Sequence, residues 1–272
     1  MPDMDTRLLA RTIRADALRM VNLAGSSHIG SCLSIADLLA VLYGKILRID
    51  PSNPNWAERD RFILSKGHAA AIYYAVLAER GFFPKAWLEN YGQDGAHLGG
   101  HVTSHGVPGV ELSTGSLGHG LPVGCGMALA SKRERRLNRI FVMLSDGELD
   151  EGSNWEAILF APHHQLDNLV VIVDYNKIQS FGSVSEVLNL DSLHDKWQAF
   201  GWSVHEVDGH DHIAIVQTLE NLPVGTGKPN VVIAHTVKGK GVSFMEDQLE
   251  WHYKSPNREQ LDLALHELET ES

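Results

Sequence analysis

The strand-like run Ile140–Leu144 (IFVML), followed by Ser145-Asp146-Gly147-Glu148, and the run Leu169–Asp174 (LVVIVD), followed by Tyr175-Asn176-Lys177-Ile178, decide how this chain is read. Both runs carry apolar residues consecutively, as strands covered on both faces do. Three further runs have strand character: Arg61–Leu64, Ser203–Val207 and Asn230–His235. Helical spacing precedes and separates them. Leu9, Ile13, Ala17, Met20 and Ala24 recur every three or four residues, and Ile35, Leu38, Leu39, Leu42 and Ile46 repeat the pattern. Helices are also predicted over 68–80, 117–131, 151–164, 192–199 and 211–221. This alternation predicts an α/β fold, a doubly wound, mainly parallel sheet with helices on both faces and ligands at the carboxyl ends of the strands.

With 272 residues and no Pro/Ser/Gly linker, the chain is expected to form one domain over 1–272, with a C-terminal helix and tail over 257–272. Glu89–Gly115, rich in Gly and His, reads as a long functional loop. A formal net charge of −11 argues against nucleic-acid or anionic-membrane partners, which call for basic patches. The N-terminal stretch lacks the apolar centre of a signal peptide, and no run approaches the roughly 20 apolar residues of a membrane span, so a soluble, cytoplasmic protein is expected. Cys32 and Cys125 lie among small and apolar residues and are expected to be buried, inert thiols.

Asp146 directly follows one strand run and Asn176, thirty residues on, follows the next. In a parallel sheet those ends face one crevice. A carboxylate, an amide oxygen and a nearby carbonyl supply hard oxygen ligands for Mg²⁺, and Gly147 would let a diphosphate approach the backbone. The same residues could instead cap the following helix and make a turn. His97, His101 and His105 have helical metal-site spacing, but Gly95, Gly99, Gly100 and Gly106 break any such helix, so a zinc site is rejected. His163, His164, His194, His205, His210 and His212 have no motif context and are expected at the surface or an interface. Gly225-Thr226-Gly227-Lys228 lacks the remainder of a P-loop, and Gly118-His119-Gly120 lacks the strand and spacing of a dinucleotide fingerprint.

The aspartate, the thirty-residue step and the asparagine resemble the thiamine diphosphate motif, and Glu151-Gly152-Ser153-Asn154-Trp155-Glu156-Ala157 resembles the transketolase family in particular. The resemblance runs from about residue 10 to about 255. It includes Ser27-His28-Ile29-Gly30, Arg59 to Ala69 with Ser65-Lys66-Gly67-His68, Gly100-His101, Pro108-Gly109-Val110-Glu111, Thr114-Gly115-Ser116-Leu117-Gly118-His119-Gly120, Met245-Glu246-Asp247 and Trp251-His252. It implies that Asp146, Asn176 and the carbonyl of Ile178 bind Mg²⁺. His68 and the Gly147-Glu148 backbone would contact the diphosphate, while Gly115, Ser116 and Leu117 would line the aminopyrimidine and thiazolium region. His28, His101 and His252 would face a sugar substrate, where a near-neutral imidazole can donate or accept a proton, with His252 also close to the cofactor. Glu151 and Glu156 would join a catalytic network at a dimer interface.

Ser145 and Tyr175 depart from residues common in the family, and Ile29 and Val102 stand where many relatives have proline after histidine, which bears on the loop angles of His28 and His101. A complete transketolase has three domains, and the resemblance covers the first alone. The glutamate that protonates the aminopyrimidine belongs to the second and has no counterpart here. The resemblance therefore implies a companion subunit carrying the pyrimidine-binding and C-terminal domains, in a 2:2 heterotetramer that moves a two-carbon ketol unit from ketose to aldose. The alternatives are half of another thiamine-dependent carboligase, similar to deoxyxylulose-phosphate synthase, and a non-catalytic cofactor-binding subunit.

Overall fold

The two apolar runs pair side by side at the centre of a five-stranded, all-parallel sheet of order β1-β2-β3-β5-β4. The strands are β1 (Arg61–Leu64), β2 (Ile140–Ser145), β3 (Leu169–Tyr175), β4 (Ser203–Asp208) and β5 (Asn230–His235). A computed structural model describes residues 4–270. The expected C-terminal tail lies partly outside the described residues, at 271–272, as do the first three residues of the N-terminal stretch. Every residue of β2 and β3 is buried, which is why both read as unbroken apolar runs.

Alternate side chains along the strands feed two cores. Phe141, Met143, Val170 and Ile172 face a layer built from α1 (Thr6–Ala24), α2 (Ile29–Leu33), α3 (Ala36–Val41), α4 (Ala70–Glu79), α9 (His212–Glu220) and α10 (Arg258–Thr270). Val142, Leu144, Val171 and Val173 face α5 (Gly120–Arg133), α6 (Gly152–His163), α7 (Val184–Val187) and α8 (Leu193–Ala199). The sheet is thus covered on both sides, as expected of a doubly wound fold.

Local chemistry sets the helix limits. Asp5 caps α1 by accepting from the N–H groups of Arg7 and Leu8, and Gly25, left-handed at φ 58°, ends it. From Ala70 to Ala78 every residue of α4 is buried, so that helix is apolar all round rather than amphipathic. The expected 117–131 helix starts later, at Gly120, because Gly118 takes φ 82° and breaks the turn. The expected 35–46 helix is two pieces, α3 and a π turn over Leu42–Ile46, since the apolar period continues through the change of pitch. The C-terminal helix packs Leu261, Ala264 and Leu268 into the core beside α1.

Residues 91–119 contain no regular element, yet the loop is fastened: Val102 N–H donates to Gly67 O at 3.1 Å, and Thr114 N–H donates to Val102 O at 3.0 Å. Both cysteines are buried, and burial pushes the thiols of Cys32 and Cys125 up to about 11 and about 12. His210 and His212, expected at the surface or an interface, are instead partners of buried Asp37, at 2.7 and 2.9 Å. Burial alone would raise the Asp37 carboxyl, but Arg14 and these two imidazoles hold it well below its usual range.

Candidate functional site

Parallel register brings the ends of β2, β3 and β5 to one edge: Ser145 lies beside Asp174, and Tyr175 beside His235. The residues that follow these strands, Asp146, Asn176 and Thr236, therefore share the crevice. Asp146 is buried, and its two carboxylate oxygens accept from Gly147 N–H at 2.7 Å and from Lys177 N–H at 2.6 Å. The latter bond is made possible by Lys177 turning left-handed at φ 67°. Burial, reinforced by Asp174, pushes the Asp146 carboxyl up to about 6.

Asn176 Oδ1 accepts from Ile178 N–H at 3.1 Å, and Ile178 O accepts from the buried ammonium of Lys238 at 2.8 Å. Lys238 also donates to His252 Nδ1 at 3.1 Å, which leaves the imidazole proton on Nε2. Burial brings Lys238 down to about 8.

Four histidines from four distant segments also meet, one of them His252, the partner of Lys238. The His28 ring lies 5.0 Å from His68, 5.0 Å from His252 and 6.0 Å from His101, and His68 lies 5.9 Å from His252, centroid to centroid. His28 starts α2 in a left-handed conformation, φ 75°, and its N–H donates to His252 O at 3.0 Å, locking two of the four segments together. Such a conformation costs about 1–3 kcal/mol away from glycine and collects at functional sites. Burial and nearby cations keep the His28 and His252 rings neutral: His28 is lowered to about 4 by burial, then His101 and Lys238, and His252 to about 3 by burial, then Lys238. His68 is likewise held well below its usual value by burial and Lys66.

The Thr114–Gly120 loop closes one side. A Cβ on Gly115 would meet the His101 ring at 3.0 Å, and a Cβ on Gly67 would meet the Thr114 carbonyl at 2.4 Å, so two segments cross in near contact there. Ser116 is exposed and Leu117 half-buried on this loop. Glu148 sits behind it, fully buried, with Oε1 accepting from Ser65 Oγ at 2.5 Å and Gly118 N–H at 3.0 Å, and burial pushes it up to about 7. Glu151, just before α6, and Glu156, on α6, are exposed and do not enter the histidine cluster. His97 stacks on Trp87 at 3.9 Å, and among the described residues no group of three His, Cys, Asp or Glu side chains could hold a metal ion.

A family model described as "Transketolase, thiamine diphosphate binding domain" matches residues 5–263. The chain belongs to the transketolase family. It is 48% identical over 250 residues to an apulose-4-phosphate transketolase subunit of Actinobacillus succinogenes, covering 92% of this chain and 90% of that one. It is 41% identical over 268 residues to the 6-deoxy-6-sulfo-D-fructose transketolase subunit SqwG of a Clostridium species, covering 98% of each. Among solved structures, the transketolase from Leishmania mexicana superposes with a TM-score of 0.92 at 30% identity, over 98% of this chain and 41% of that one. The chain thus spans less than half of that transketolase, and nearly all of the two subunits.

The site has donors that suit the diphosphate that the family description names, and also the divalent cation expected from the sequence. For a divalent cation, it offers one carboxylate, one carboxamide oxygen and one carbonyl, all hard donors, and Ile178 O already accepts a cationic donor. For a diphosphate, Lys238 and backbone N–H groups supply positive charge in an otherwise acidic chain.

Residues that motif reading passed over are Lys66, Asp174, Thr236 and Lys238. Lys66 lies inside the Ser65-Lys66-Gly67-His68 motif, and Val237-Lys238-Gly239-Lys240-Gly241 places lysines among glycines just after a strand.

Proposed function

We propose that this chain is the thiamine-diphosphate- and Mg²⁺-binding half of a cytoplasmic two-chain transketolase, which transfers a two-carbon ketol unit from a ketose to an aldose. The observation that carries this reading is the convergence of His28, His68, His101 and His252, linked by Lys238 from His252 to the Ile178 carbonyl that neighbours Asn176. In this reading the three oxygens would hold Mg²⁺, which would supply positive charge for the cofactor's diphosphate. His68, Lys238 and the Gly147-Glu148 backbone bind the diphosphate, and Gly115, Ser116 and Leu117 line the ring end, with Glu148 bracing that loop from behind.

When bound, the cofactor supplies a carbon nucleophile that also stores the electron pair between donor cleavage and acceptor addition. The chain's own residues orient the sugar and move protons. A neutral imidazole can both donate to a hydroxyl and accept its proton, and the lowered values of His28 and His252 keep them neutral at physiological pH. His101, more exposed than its neighbours, is the proton carrier nearest the entering sugar. Near-complete mutual coverage with two proteins named as transketolase subunits supports a companion chain. In this reading that chain bears the pyrimidine-binding and C-terminal domains, in a 2:2 heterotetramer with Glu151 and Glu156 at the interface. Those relatives' names pair this architecture with a phosphorylated and a sulfonated ketose, so a ketose with a terminal anion is the donor class.

Titration calorimetry of thiamine diphosphate with Mg²⁺ tests the site. Asp146→Ala, which deletes the charged ligand, is expected to abolish binding of both; unchanged cofactor affinity would remove Asp146 from the metal site.

A further inference from the structure

Asn176 raises a problem that its sequence position does not answer. A carboxamide presents an oxygen on one branch and an NH₂ of the same shape on the other, and turned the wrong way it offers a cation two N–H donors. Something must choose the orientation. The Nδ2 of Asn176 lies 3.0 Å from Asp174 Oδ2. Asp174 Oδ2 also accepts from Lys66 Nζ at 2.6 Å and Ser34 Oγ at 2.8 Å, while Oδ1 accepts from Thr236 Oγ1. Every group against this carboxylate is a donor, so it can meet Asn176 only as an acceptor. The amide nitrogen must then face Asp174, and Oδ1 must face away from it.

The Lys66–Asp174 pair is wholly buried on both sides. Buried ion pairs are weak stabilising devices, because desolvation offsets much of their attraction. Here the pair has a geometric use. Lys66 lies two residues before His68 and also donates to Ser31 O in α2, at 2.9 Å, just past His28. Thr236 follows β5 and leads to Lys238.

We propose that Asp174 is a positioning residue: it turns the carboxamide of Asn176 so that Oδ1 is presented to the divalent cation, with Lys66 supplying the counter-charge inside the protein. The inference rests on the reading of Asn176 as a cation ligand. Outer partners of this kind typically change metal affinity by about 10–100-fold when lost.

The test is Mn²⁺ titration of the full chain with saturating thiamine diphosphate, free Mn²⁺ being read by electron paramagnetic resonance. Asn176→Ala reports on the ligand reading itself. Lys66→Met with Asp174→Leu removes the pair without leaving a buried charge, and should weaken Mn²⁺ by about 10–100-fold while thermal unfolding without metal stays cooperative. Lys66→Met with Asp174→Asn keeps one acceptor oxygen and should recover most of that loss, which a merely structural role would not produce. The exchange Asp174→Asn with Asn176→Asp conserves the cluster's charge and puts an oxygen on both branches at 176. It should bind Mn²⁺ at least as tightly as the natural chain, and it serves if the leucine variant fails to fold. Wild-type Mn²⁺ affinity in the leucine variant, or affinity lost in the exchange, overturns the positioning role while leaving Asn176 a ligand. Undiminished binding by Asn176→Ala overturns the ligand reading and the inference with it.

Discussion

Two glycines on one helix separate packing from propensity. Gly124 and Gly126 both lie inside α5, so replacing either with alanine brings the same helix-forming gain of roughly 0.5–1 kcal/mol. Their surroundings differ. A Cβ on Gly126 meets nothing within 4 Å, whereas a Cβ on Gly124 would lie 2.5 Å from Val142 Cγ2, at the centre of β2. Carbon atoms pack at about 3.5–4.0 Å, so the contact is short by roughly 1–1.5 Å. Val142 cannot yield easily, being fully buried and stiff at χ1.

Overpacking of this kind costs about 1–3 kcal/mol. Because the propensity gain cancels, that range is also the expected gap between the two variants, with Gly126→Ala above the natural chain and Gly124→Ala below it. At roughly 2–4 °C per kcal/mol for a chain near this size, thermal unfolding followed by circular dichroism resolves the difference. Displacing α5 also moves Gly120, whose N–H donates to Ser65 Oγ at 3.1 Å, so Gly124→Ala should weaken cofactor binding and Gly126→Ala should not. Equal stability of the two variants would refute the claim that α5 is seated on β2 through Gly124.

His101→Ala should lower turnover by about 10²–10⁴ while changing cofactor affinity little, since the proposed function gives this exposed side chain to the sugar and not to the diphosphate; steady-state kinetics beside cofactor titration checks this. His28 titrates near 4 in the fold against 6.5 ordinarily, so between these values the unfolded chain binds more protons than the folded one. Stability should therefore fall as pH drops through that window, and His28→Asn should flatten the slope in urea unfolding at pH 7, 6 and 5.

Much of this was legible in the sequence because the signals were local. The unbroken runs of β2 and β3 could be read as covered strands, and Asp146 and Asn176 then fell at their ends by counting. Relations between distant residues were not legible in that way. Asp174 meets Lys66 across 108 positions and Ser34 across 140, and Asp37 meets His210 and His212 across 173 and 175. No period or spacing marks such partners, and a histidine without a motif is indistinguishable from a surface one until its carboxylate appears. The π turn at Leu42–Ile46 was hidden for another reason, since apolar residues there keep nearly the same interval as in an α-helix.

The central claim is that this chain holds the diphosphate and metal but needs a second chain to transfer the ketol unit. The direct measurement is turnover of an anionic ketose donor with an aldose acceptor in the presence of thiamine diphosphate and Mg²⁺. It is made with this chain alone, with a separately produced polypeptide carrying the pyrimidine-binding and C-terminal domains alone, and with both together. The account predicts no transfer in either single arm and full transfer when the two are mixed. Full turnover by this chain alone, free of contaminating host transketolase, would contradict it.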